Sequence, residues 1–163
     1  MSSAEPLKVL MVCLGNICRS PTAQGVLSSL ASKRAFKRDI LVDSAGTGSW
    51  HLGEAPDERS TKAAARRGYE IGHLISRQIT LIDFEKFDYV LAMDQANLDD
   101  LKKLCPDKYK DKLELLLDFG SSKESSVPDP YYGGASGFSR VLGQIEDACD
   151  GFLRHLITKH NLS

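Results

Sequence analysis

The sequence predicts an α/β domain in which a parallel sheet carries helices on both faces. Three observations lead there. Four short apolar runs, residues 7–12, 40–42, 89–93 and 113–117, read as strands buried on both sides. Stretches of helical periodicity alternate with them, the pattern of a parallel sheet joined by right-handed crossovers. The first run opens straight into a glycine-containing loop and a helix start. At 163 residues the chain holds one domain of ordinary size, with a core over about residues 7–160 and no repeat or linker.

Taken in order, residues 7–12 (Leu-Lys-Val-Leu-Met-Val) follow Pro6 as the first strand. Ala23, Val26, Leu27, Leu30 and Ala31 then fall on one helical face, with Ser20 suited to cap that helix and Pro21 to its first position. Lys33, Arg34, Lys37 and Arg38 read as the solvated end of the same helix. Ile40-Leu41-Val42 is the second strand, leading into Asp43-Ser44-Ala45-Gly46-Thr47-Gly48. Residues 57–67 form a helix with Asp57 and Glu58 at its start, Arg66 and Arg67 at its end and Gly68 after it. Residues 69–80 carry no decisive pattern. The third strand, residues 89–93, runs to Asp94, which caps a helix bearing Leu98, Leu101 and Leu104 and ending at Pro106. After the fourth strand comes a long loop, residues 118–137, and then a helix over 137–160 whose apolar stripe includes Cys149.

The loop at residues 13–20, Cys-Leu-Gly-Asn-Ile-Cys-Arg-Ser, carries chemistry. Backbone N–H groups of a short loop closed by a helix N-terminus form an anion cradle, here from Leu14, Gly15, Asn16, Ile17, Cys18 and Arg19. Gly15 and Asn16 both tolerate the positive φ such a loop uses. Arg19 adds a planar fork matched to two phosphate oxygens. The helix dipole and Arg19 both favour the thiolate of Cys13, which sits at the strand's C-terminal end as a nucleophile. Cleaving a phosphate ester this way also requires a general acid for the leaving oxygen. Asp129 is the candidate: Pro130 holds its backbone extended, and Tyr131 and Tyr132 follow as walls for an aromatic group. Trp50, in a loop flanked by glycines, is a further wall.

Val-Cys-Leu-Gly-Asn-Ile-Cys-Arg-Ser-Pro, with Asp43-Ser44-Ala45-Gly46, Arg77-Gln78-Ile79, Asp88-Tyr89-Val90 and Asp129-Pro130-Tyr131-Tyr132-Gly133, resembles the low-molecular-weight protein tyrosine phosphatases over residues 7–156. The resemblance implies a four-stranded sheet of order 2-1-3-4, which periodicity alone does not give. It places the general acid on Asp129, a hydrogen bond to the nucleophile on Ser20, and loop support on Asn16 and Ser44. The resemblance also offers His73 as a supporting residue, although the family's histidine stands three before the Arg of Arg-Gln-Ile and His73 stands four before Arg77, with Leu74 at the alternative place. The resemblance further implies that Cys18 resolves an oxidised Cys13 as a disulfide. On its residues alone, Cys18 reads rather as a packing group beneath the helix start.

Composition narrows the rest. A net charge of −1 argues against a nucleic-acid partner, and no apolar run is long enough for a membrane span. Four cysteines without a CxxC pair, and four histidines without ligand spacing, point to a reduced, cytoplasmic protein needing no metal or organic cofactor. The expected partners are phosphotyrosine proteins or small aryl phosphates, with inhibition by phosphate-like oxyanions, and the chain is expected to be a monomer or weak dimer. Two rivals share the loop. An arsenate reductase would need Cys105 and Cys149 to relay a disulfide, yet Cys149 lies on the core stripe. A non-catalytic phosphate-binding module would need neither Cys13 nor Asp129.

Overall fold

A computed structural model describes residues 5–121, 126–130 and 135–163. Strands β1 (Leu7–Cys13), β2 (Ile40–Gly46), β3 (Tyr89–Ala92) and β4 (Leu113–Leu115) pair in parallel in the order β2-β1-β3-β4. The helices are α1 (Arg19–Ser32), α2 (Glu58–Arg66), α3 (Leu81–Lys86), α4 (Gln95–Leu104) and α5 (Ala135–His160). The sheet order that the family resemblance implied is therefore the one observed.

Alternation along β1 divides the interior in two. Leu7, Val9, Met11 and Cys13 join α1, α2 and α5 through Val26, Leu27, Ala64, Ile145 and Phe152. Leu10 and Val12 face the other way, onto Phe84 of α3 and Leu98 and Leu101 of α4. Each fully buried Leu or Phe contributes about 1.5–3 kcal/mol relative to exposure. Both layers hold the central strand, and its C-terminal end is fixed where Cys13 lies.

Several element ends differ from the sequence reading for identifiable reasons. β2 runs on to Gly46 rather than stopping at Val42, because β1 pairs with it as far as Cys13↔Gly46 and that backbone pairing does not depend on apolar side chains. The fourth strand stops at Leu115 and residues 116–119 turn into a 3₁₀ segment, although Leu116 and Leu117 are as apolar as Leu113 and Leu115. Within residues 69–80, Gly46 bridges Gln78, and Thr80 then opens α3 through a reciprocal capping box with Asp83. At six residues that helix was too short to show a period. α1 begins at Arg19 with Cys18 as its N-cap, so Ser20 is not the cap; its hydroxyl is used in the loop described below. Lys33 is the C-cap of α1, and Arg34, Lys37 and Arg38 lie beyond it, where Arg38 Nε donates to Glu5 O at 2.8 Å. Among the described residues no helix is long and apolar enough to cross a membrane.

Candidate active site

Segments that follow β1, β2 and β4 converge on one cleft of about 450 Å³, where ligands of parallel α/β sheets bind. Cys13, Gly15, Ile17, Cys18 and Arg19 line its floor, with Leu14, Trp50, His51 and Asp129 around it. Cys13 is 3% exposed. Its Sγ lies 3.0 Å from Ser20 Oγ and 3.3 Å from the Asn16 N–H that points to it. Two polar groups thus address the sulfur.

Asn16 shapes the loop. It adopts φ 57°, the left-handed region that asparagine tolerates better than most residues. From that position its Nδ2 donates to Ser20 Oγ at 2.8 Å and to Ser44 Oγ at 3.0 Å, and its Oδ1 accepts from the Arg77 N–H at 2.9 Å. Ser44 Oγ in turn donates to Gln24 Oε1. The sequence assigned positive φ to Gly15 as well, but Gly15 is not among the positive-φ residues. Close approach is its requirement instead: a Cβ there would lie 3.0 Å from His51 Cδ2. Gly46 is more restricted, since a Cβ would meet Leu14 O at 2.7 Å. Thr47 N and Gly48 N complete the brace, donating to Cys13 O and Leu14 O.

Arg19 is buried, and its Nη1 donates to Asp94 Oδ2 and to Val127 O. Its Nη2 lies 3.7 Å from Asp129 Oδ2. Burial works against the charge, but Cys13, Asp94 and Asp129 outweigh it and hold the guanidinium's pKa above its ordinary value. The cation is locked on, between the thiol and the candidate acid. Asp129, with its side chain 40% exposed, has solvent access that a proton donor and acceptor needs. Its loop is tied to the end of β3 by Val127 N donating to Met93 O.

Most sequence candidates among the described residues meet here, and His73 does not. Tyr131 and Tyr132 lie outside the described residues. His73 is exposed, and the segment serves the loop through other groups: Ser76 Oγ donates to Gly15 O at 3.1 Å, beside the Arg77 N–H on Asn16. The one-residue offset of the histidine is thus real, and a serine hydroxyl does the bracing. Sequence reasoning also missed the second role of Asp94, taken only as a helix cap, although its place at the end of a central parallel strand was the available signal. It missed His51, which lines the cleft and pairs through Nδ1 with Glu54 Oε2.

Cys18 faces two ways. It lines the cleft floor and packs with Ile17, Ala63 and Phe138 beneath the loop. Burial, aided by nearby negative charge, pushes its thiol up to about 12 against a hydrogen bond with Ser60. Cys105 and Cys149 are buried as free thiols elsewhere in the fold, and burial pushes both upward. Among the described residues no three His, Cys, Asp or Glu side chains gather as a metal-ligand group.

The fold and site define a phosphatase class of α/β protein, in which a strand-to-helix loop carries a thiol at its floor and an arginine at its side. The family model for low molecular weight phosphotyrosine protein phosphatases matches residues 8–162. The low molecular weight phosphotyrosine protein phosphatase 1 of Drosophila melanogaster is 42% identical over 154 residues, covering 93% of this chain and 98% of its own. An Entamoeba histolytica protein tyrosine phosphatase crystallised with Hepes in its active site superposes with a TM-score of 0.91 at 42% identity, covering 94% of this chain and 99% of that one. A Drosophila arginine phosphatase superposes with a TM-score of 0.85 at 37% identity, covering 91% and 97%. The chain belongs to the low molecular weight phosphotyrosine protein phosphatase family, and it is a protein-tyrosine phosphatase, a hydrolase of phosphate esters.

Proposed function

We propose that the chain hydrolyses phosphotyrosine and aryl phosphate monoesters through a phosphocysteine on Cys13. The observation that carries this is the setting of its sulfur, 3.0 Å from Ser20 Oγ and 3.3 Å from Asn16 N, on the floor of a cleft that Arg19 and Asp129 share. The phosphate enters the cradle of N–H groups from Leu14 to Arg19, with the Arg19 guanidinium against its oxygens. Cys13 Sγ attacks phosphorus, the S–P bond forms and the P–O(aryl) bond breaks. Asp129 gives its proton to the departing phenolate oxygen. Water then attacks phosphorus, Asp129 takes its proton, and inorganic phosphate leaves with the thiolate restored. Fixed dipoles aimed at the equatorial oxygens supply the stabilisation, so this sequence of steps uses no metal or organic cofactor.

Trp50, and Tyr131 and Tyr132 by the resemblance, flank the aromatic ring. Phosphate-like oxyanions compete for the same cradle; the Entamoeba relative held Hepes, a sulfonate, in its site. A thiol of this kind requires a reducing compartment, which supports a cytoplasmic location, and the chain acts as a monomer or weak dimer.

The test is Cys13→Ser. Serine keeps the shape but offers no nucleophile at neutral pH, so p-nitrophenyl phosphate turnover should vanish while vanadate still binds. Activity within tenfold of wild type would remove Cys13 from the role. The arginine phosphatase among the structural neighbours supplies a second reading, phosphoarginine as substrate. A kcat/KM for phosphoarginine above that for phosphotyrosine would favour it.

A further inference from the structure

We propose that Leu52 and Ile75 form a docking surface for an aliphatic side chain next to the phosphotyrosine of a protein substrate; this rests on the phosphotyrosine reading above. Leu52 is 54% exposed, Ile75 69% and Trp50 72%. Large apolar groups this exposed are ordinary when single, but a group of them marks a binding surface. The segments carrying these three are bound together: Gly53 N donates to Ser76 O at 2.9 Å and Ser76 N to Glu54 O at 2.8 Å. Leu52 and Ile75 each stand one position before that bonded pair.

The patch is also fixed relative to the chemistry. Ser76 Oγ donates to Gly15 O, and the next N–H, that of Arg77, donates to Asn16 Oδ1. The backbone that carries Ile75 is therefore tied to the anion cradle itself. Trp50 belongs to both surfaces, since it lines the cleft and leads into Leu52. Trp50 on the cleft wall stands two residues before Leu52, and the occupant of the patch is an aliphatic side chain that follows the phosphotyrosine out of the cleft. The charge on this rim is the Glu54 carboxylate, which pairs with His51. The Arg77 guanidinium of the same stretch is engaged by Asp43 and Asp83, and the exposed side chains of the patch are apolar, so an apolar neighbour is the chemistry that fits. In an extended peptide a residue two positions from the phosphotyrosine points the same way at roughly 7 Å, within reach of a rim beside the cleft.

The experiment compares phosphotyrosine peptides bearing Leu or Ile within two positions of the phosphotyrosine with matched peptides bearing Ser or Asp. Each is normalised to p-nitrophenyl phosphate, and wild type is set against Leu52→Ser, Ile75→Ser, the double variant and Leu41→Ser. Leu41 is 49% exposed but pairs with Lys8, near the opposite end of the sheet, and serves as the control. Wild type and Leu41→Ser should prefer the aliphatic peptides by about three- to tenfold in kcat/KM, a part of the full burial of one aliphatic side chain. The double variant should lose that preference through KM. Equal rates on both peptide sets in wild type would overturn the proposal, as would a double variant that keeps the preference. An equal fall on p-nitrophenyl phosphate in the variants would assign the two residues to cleft integrity instead. A dimer in solution that Ile75→Ser dissolves, with peptide preference unchanged, would assign the patch to a second copy. Wild-type inactivity on every phosphotyrosine substrate would remove the reading beneath, and the proposal with it, so the two failures are distinguishable.

Discussion

Asp94 holds Arg19 with one carboxylate oxygen and caps α4 with the other: Oδ2 accepts from Arg19 Nη1, and Oδ1 accepts from the Asn97 N–H at 2.7 Å. One side chain thus aims the cradle's cation and starts the helix behind it. The two roles separate by substitution. Asn caps about as well as Asp, so Asp94→Asn should melt within a few degrees of wild type yet lose about tenfold or more in kcat with Arg19 no longer anchored by charge. Equal loss of stability and activity in thermal melts and steady-state kinetics would show that only the cap matters.

Asp129→Ala should discriminate among leaving groups. A poor leaving group needs the proton, so its hydrolysis should fall by about 10²–10⁴-fold. A strongly acidic phenol leaves unaided and should suffer far less. A series of substituted phenyl phosphates reads this as a steeper dependence of kcat on phenol pKa; an unchanged slope would remove Asp129 from the role.

Oxidation by peroxide should be reversible through Cys18. Peroxide converts the Cys13 thiolate to a sulfenic acid; Cys18 sulfur attacks it, the disulfide forms and water leaves. Dithiothreitol should then restore wild-type activity, whereas Cys18→Ser should be lost at a similar first rate and recover poorly. Because the Cys18 thiol is pushed up to about 12, its thiolate fraction is small at neutral pH and grows as pH rises. Disulfide closure, followed by mass spectrometry, should therefore quicken with pH. Full recovery of Cys18→Ser would leave Cys18 as a packing group.

The acid limb of stability should carry a signature of Asp83. Burial raises its carboxyl, but hydrogen bonds from Arg77 and Thr80 outweigh it and hold it below the ordinary 3.8. A depressed folded pKa stabilises the fold fully above the unfolded value and loses that contribution as pH falls through the folded one. The loss therefore belongs below about pH 4, outside the working range. Asp83→Asn should melt lower than wild type at pH 7, with the gap closing toward pH 2. A gap independent of pH in calorimetry would assign the effect to the capping box alone.

The strands and four of the helices were legible because burial on both faces and 3.6-residue periodicity leave marks on residue type. The cradle was legible because the spacing of Cys13 and Arg19 around Gly15 and Asn16 is set by local backbone geometry. What escaped was set by contacts distant in sequence. Asp94 reads as a cap and is one, but its second oxygen meets an arginine 75 positions earlier. Ser76 has no local signal, since its bond to Gly15 spans 61 positions. The extension of β2 to Gly46 follows from pairing with β1, not from its own side chains.

The side chain of Asn16 joins residues 20, 44 and 77. Two of these bonds span 28 and 61 positions, so the loop holds its shape only after β2 and the segment leading into α3 have docked. Loop closure over such distances is slow compared with forming a helix. Seen in time rather than in space, catalytic competence is among the last properties the refolding chain acquires: helical signal returns first, and an immature chain in which those segments are still undocked carries its reactive cysteine without the means to use it.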